Sequence, residues 1–258
     1  MSNQADVLIV TVTPTESKAV LQAFKVATGQ ASISISIGER TYRNLGIVNH
    51  SKVFMAISEM GAGGLGAAQQ TVQKAVEALN PDAVIMVGIA FGMNETEQSI
   101  GDILVSKQLM LYESQRLGNG EIIVRGDRPH CSTSLFSYLK SASLDWCKAK
   151  VHFGLILTGE KLIDDLDYRQ SLEKLEAGAI GGEMEGAGLY VSCQDEKVDW
   201  ILVKAICDWA DGNKNQDKEQ WQQLAAKNAA EFVLYALNQA ELPKAEKSKN
   251  PPDKPTSN

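Results

Sequence analysis

Positive charge is scarce in this chain of 258 residues: 25 lysines and arginines face 32 aspartates and glutamates, a net charge of −7. Broad contact with nucleic acid or anionic membrane needs clustered basic side chains, so neither partner is expected. Cysteine is sparse as well. Cys131, Cys147, Cys193 and Cys207 are scattered with no CxxC pair, a pattern that gives neither a disulfide framework nor a zinc site. No metal or other cofactor is expected, and a reduced, cytoplasmic setting fits. Long apolar runs are missing too. The longest, "AVIMVGIAFGM" (Ala83 to Met93), holds two glycines and is too short to cross a bilayer. The opening "MSNQADVLIVTVTP" lacks the basic start of a signal peptide. The glycine-rich "GAGGLGAAQQ" lacks the Lys-Ser/Thr of a P-loop and the spacing of a dinucleotide fingerprint.

What remains is an alternation of buried strands and amphipathic helices. "DVLIVTV" (Asp6 to Val12) reads as a strand feeding a helix from about Thr15. "SISI" (Ser34 to Ile37) and "KVFMAIS" (Lys52 to Ser58) read as further strands, and a helix follows until Asn80-Pro81 stops it. Strands are expected at "AVIMVGI", "DILVSKQLML" and "VHFGLILTG", with a loop or edge hairpin over Glu113 to His130. "STSLFSYLKSAS", "YRQSLEKLEAG" and "EGAGLYVSCQD" read as helices, "AIGGEME" as a strand, and Trp200 to Ile206 as another. The closing helix carries Trp221, Leu224, Ala225, Asn228 and Phe232 near one face. From about Glu241 the chain is rich in Lys, Pro and Ser and reads as a disordered tail. The expectation is a single α/β domain over residues 1–240, with a central mixed, twisted sheet flanked by helices, and a tail over 241–258.

In such sheets, sites form beyond the carboxyl ends of the strands. Four segments fall there: "TPTE" (Thr13 to Glu16), "GIAFG" (Gly88 to Gly92), "EMEGA" (Glu183 to Ala187) and "CDWAD" (Cys207 to Asp211). Taken singly, their acids read as helix caps or dipole partners. Gathered round one cleft they would repel, unless a cation, a shared proton or a substrate compensates.

"EMEGAGLY" followed by "ILVKAICDWAD" resembles the signature of the purine nucleoside phosphorylase and uridine phosphorylase superfamily. "VGIAFGMNETEQSIGDILVS" resembles its glycine-containing strand end and the strand after it, and "LTGEKLIDD" the segment that lines its base pocket. These matches run in family order from about residue 6 to 238. Within the superfamily the chain is most similar to the methylthioadenosine/S-adenosylhomocysteine nucleosidases and to phosphorylase-type effector domains of defence proteins. The resemblance implies a small-molecule purine nucleoside or nucleotide as substrate and a homo-oligomer, a dimer or larger. It makes Asp208 the proton donor to purine N7, Glu185 the holder of the ribose hydroxyls and Glu16 the residue that positions the attacking water. Met184 would pack on the sugar, Leu162 and Ile163 would flank the base, and Glu183, Gly88, Ala90 and Lys204 would complete the substrate site. Asp211 reads as structural.

Water or phosphate is the remaining choice. Phosphorylases of the superfamily carry an arginine at the position matching Glu16, with a second arginine and a serine matching Met86 and Ile89. A carboxylate, a thioether and an alkyl group stand here instead, which favours hydrolysis over phosphorolysis. Leu162 replaces the nucleosidases' base-stacking aromatic. Lys204 replaces a frequent arginine, either to bias the proton on Asp208 or as a structural ion pair. Arg40, Arg43, Arg125, Arg128 and His130, in loop-like segments, are solvated side chains or meet a 5′-phosphate. The alternatives to a hydrolase are a phosphate-dependent phosphorylase and a catalytically silent nucleoside-binding module.

Overall fold

The structure, a computed structural model, describes residues 4–118, 121–212 and 217–242. Its centre is β1 (Val7–Thr11), five consecutive fully buried residues. A strand buried on both faces must be covered by helices on both sides, and it pairs in parallel with β4 (Ser51–Ile57) and β5 (Ala83–Gly92). Nine strands form one mixed sheet in the order β10-β9-β6-β11-β5-β1-β4-β3-β2. The remaining members are β2 (Ile33–Ile37), β3 (Arg40–Val48), β6 (Ile103–Leu111), β9 (Val151–Thr158), β10 (Ala179–Glu183) and β11 (Asp199–Asp208). One face carries α1 (Pro14–Thr28) against α6 (Lys218–Gln239), with α3 (Thr133–Ala142) beside α6. On the other, α2 (Ala68–Leu79) packs on α5 (Gly186–Glu196), while α4 (Leu166–Leu175) follows the loop after β9.

The sheet closes on itself at one end. β10 pairs with β9 in parallel and with the carboxyl end of β5 antiparallel, so β5, β11, β6, β9 and β10 make a ring. Glycine permits that closure: a Cβ on Gly181 would stand 2.6 Å from the Phe91 carbonyl oxygen, and one on Gly182 would stand 2.3 Å from the Phe91 ring.

Most expected elements are present within a residue or two, and Ser132 caps α3 by accepting from the Leu135 N–H. The polar stretch after Glu113 contains a hairpin, β7 (Gln115–Gly118) with β8 (Glu121–Val124). Two readings need correction. Arg40 and Arg43 lie in β3, not in loops, and bind Gln70 with Thr71 and Ser32 with Ser34, respectively. On α6, Ala225, Asn228 and Phe232 are buried as expected, but Leu224 is 44% exposed, because Ala229, Ala230, Val233 and Ala236 carry the buried face onward. The tail reading falls mainly on 243–258, outside the described residues; Leu242, within it, is buried against the core. Among the described residues, no helix is long and apolar enough to cross a membrane.

Candidate active site

β1, β5 and β11 run parallel, and their carboxyl ends open on one cleft that also receives the end of β10 and the starts of α1 and α6. The cleft encloses about 130 Å³. Glu16, Glu185 and Asp208 all line it, together with Ala90, Leu162, Ile163, Glu183 and Met184. Gly88 and Lys204 sit beneath this floor.

Glu16 is held by the start of α1. Thr13 caps the helix with its hydroxyl, and Glu16 reaches back so that Oε2 accepts from the Thr13 and Val12 N–H groups at 2.7 and 2.9 Å. Its Oε1 accepts from the Ile89 N–H at 2.9 Å, joining α1 to β5. Glu16 thus completes a capping box and also faces the cleft. Gly88 makes the approach possible, because a Cβ there would stand 2.3 Å from Glu16 Oε1.

Glu183 and Glu185 enclose Lys204. Lys204 Nζ lies 3.1 Å from Glu185 Oε2 and 3.7 Å from Glu183 Oε2. Glu183 also accepts from the Glu185 and Gly186 N–H groups, which fixes the entry to α5. Glu185 Oε1 accepts from the Gly61 N–H at 3.2 Å, so the glycine-rich turn before α2 steadies that carboxylate. Two carboxylates thus pair with one buried cation, and the charge of Glu16 acts on it as well. Burial works against the charged amine, but Glu185, Glu16 and Glu183 outweigh it and hold the Lys204 pKa above its ordinary value. Burial pushes the Glu183 carboxyl up; Lys204 pulls it back and Glu185 pushes it up again, for a net rise. Of the two readings of Lys204, this geometry supports the structural ion pair with the glutamates.

Asp208 ends β11 at a bulge. Ile206 pairs with Ala90 and Asp208 with Phe91, leaving Cys207 as the extra residue. Asp208 Oδ1 accepts from the Ala210 N–H at 2.9 Å, and Ala210 is left-handed at φ 51° and fully buried. That non-glycine strain is confined to the turn behind the aspartate.

Sequence reasoning did not single out several cleft residues. Phe91 supplies an aromatic ring from β5, held over Gly182, in addition to the Leu162 and Ile163 walls expected from the sequence. Lys161, Lys218, Gln222, Met60 and Cys207 also line the cleft. No arginine lines the cleft among the described residues; Arg128 pairs with Glu176 at 2.7 Å, and His130 faces Gln108. A wider groove of about 810 Å³ runs between α1 and α6, but it contains none of the strand-end acids.

The phosphorylase superfamily profile matches residues 6–238. The chain belongs to that family. A death domain-containing ATP nucleosidase of Amphimedon queenslandica is 28% identical over 90% of this chain, which spans only 48% of that relative's length. A 5′-methylthioadenosine/S-adenosylhomocysteine nucleosidase of Staphylococcus epidermidis is 28% identical over 73% of this chain and 82% of its own. Among solved structures, the fold is similar to futalosine hydrolase of Helicobacter pylori at a TM-score of 0.76, 20% identity and 91% and 97% coverage of the two chains. It is also similar to the methylthioadenosine/S-adenosylhomocysteine nucleosidase of the same organism, at a TM-score of 0.77, 20% identity and 92% and 99% coverage.

Proposed function

We propose that this member of the phosphorylase superfamily is a purine N-ribohydrolase acting on an adenine-type nucleoside or nucleotide, with the activity carried by residues 1–240. The observation that supports it best is the convergence of Glu16, Glu185 and Asp208 on one cleft whose described lining holds no arginine. A phosphate nucleophile would meet Glu16 at the very place where it needs a cation. The nucleosidase names of the relatives agree with water as the acceptor.

In this reaction the bond between purine N9 and C1′ breaks and its electron pair moves into the base. Asp208 delivers a proton to N7, so that the base leaves neutral. Glu185 accepts hydrogen bonds from the ribose hydroxyls and, with Lys204 behind it, stays fixed while positive charge grows on the sugar. Water attacks C1′. Its oxygen is oriented by Glu16, whose Oε1 accepts one backbone bond from Ile89 and keeps acceptor capacity toward the cleft. Phe91, Leu162 and Ile163 flank the base, and Met184 packs on the sugar.

Lys161 and Lys218 line the cleft, but Lys161 is paired with Glu113 at 2.5 Å, so Lys218 is the cation to probe for a phosphorylated 5′ group. The protein is further proposed to act in the cytoplasm as a homo-oligomer. Met60 and Leu162, 52% and 69% exposed while lining the cleft, are apolar surface that a second copy would cover. Asp208→Asn tests the mechanism: adenine release is expected to fall by about 10²-fold or more with the circular dichroism spectrum unchanged. Undiminished release would contradict it.

A further inference from the structure

In a regular strand, successive side chains point to opposite faces, so residues 207 and 208 should not touch. Here they do. The bulge at Cys207 turns both side chains into the same cleft, and the Cys207 thiol donates to Asp208 Oδ2 at 3.1 Å. Cys207 is itself only 4% exposed. The Ala210 N–H holds Oδ1, while the thiol holds the other oxygen.

We propose that Cys207 is a positioning residue that tunes the proton of Asp208, its thiol being a deliberately weak donor to the catalytic acid. The inference rests on the reading of Asp208 as the acid that protonates the leaving base. A donor to a carboxylate stabilises its charged form, and a strong donor does so more than a weak one. An S–H group is a weak donor, whereas the hydroxyl of serine in the same place would be a strong one. The thiol therefore orients the Oδ2 edge of Asp208 without fixing the group as a carboxylate. The bulge supplies the geometry by bringing both side chains to one face. Among the described residues, the other titratable groups of the cleft are Glu16 from α1, Lys161 from the loop after β9, Glu183 from β10, Glu185 at the start of α5 and Lys218 from α6. Lys204 of β11 lies beneath them. None of these side chains is altered in a Cys207 variant.

The test compares wild type with Cys207→Ser and Cys207→Ala through the pH dependence of kcat for adenine release. A general acid fails as pH rises through its titration, so the basic limb reports Asp208. The expected order places the limb lowest in Cys207→Ser, intermediate in wild type and highest in Cys207→Ala, with steps of roughly half a pH unit. A limb that stays in place in both variants, whatever happens to KM or kcat, would overturn the inference and leave Cys207 a packing residue. Carboxyl carbon NMR of Asp208 in the free protein, assigned with Asp208→Asn, gives the same ordering without turnover. Wild-type protein that releases no base at any pH would overturn the hydrolase reading, and the NMR order would still decide the role of Cys207. An unordered NMR series would overturn that role.

Discussion

Lys204 Nζ lies 3.1 Å from Glu185 Oε2, and both side chains are closed to solvent. This contact ties the buried charge of β11 to the carboxylate assigned to the ribose. Lys204→Met removes the cation and leaves Glu183 and Glu185 facing each other in a buried site. Breaking a buried pair in this way costs about 3–5 kcal/mol. The unfolding midpoint in urea should drop accordingly, and Lys204→Arg should recover most of the loss. A Lys204→Met protein as stable as wild type would show that the backbone N–H groups alone hold the glutamates.

Gly88 acts by the space it leaves. A Cβ there meets Glu16 Oε1 at 2.3 Å and Lys204 Nζ at 3.1 Å, so Gly88→Ala must push both aside. The expected cost is about 1–3 kcal/mol of stability from overpacking. Base release should fall through kcat, because Glu16 loses its place at the Ile89 N–H. Unchanged kcat would mean that Glu16 has no part in orienting water.

The pH dependence of stability follows from Glu183. Its carboxyl is raised by burial, with Lys204 lowering it and Glu185 raising it further. An acid raised in the folded state binds its proton more tightly there than in the unfolded chain. Its contribution is complete below the ordinary glutamate range, about pH 4, and is lost as pH rises through the folded-state value. Within that window the slope reaches roughly 1.4 kcal/mol per pH unit. Glu183→Gln keeps an oxygen for the Glu185 and Gly186 N–H groups and should flatten the slope. Urea midpoints collected across the window decide it: equal slopes in the two proteins would place the titration elsewhere.

Strand ends are legible in the sequence because short apolar runs give way to capping, small or acidic residues. That pattern alone assigns Asp208, Glu185 and Glu16 to one end of a sheet. The strand Arg40–Val48 is not legible: two arginines, an asparagine and a bulge at Leu45 break the alternation that marks a strand. The partners of Lys204 are hidden for a different reason. Glu16 is 188 positions away in the chain, and only the pairing of β1, β5 and β11 brings it near Lys204. Phe91 reads as ordinary strand core, since nothing local to "GIAFG" announces that β10 will cross the end of β5 and leave the ring on the cleft. The contact between Cys207 and Asp208 depends on a one-residue bulge, which hydrophobic pattern does not encode.

The most direct test of the central claim is free-base release in phosphate-free buffer. Adenosine, methylthioadenosine, S-adenosylhomocysteine, inosine, AMP and ATP would be compared, each with wild type and Asp208→Asn and resolved by chromatography. The account predicts adenine from at least one adenine-containing substrate with wild type, no increase on adding phosphate, and loss of release with Asp208→Asn. Release that depends strictly on added phosphate, or release that survives Asp208→Asn, would contradict it.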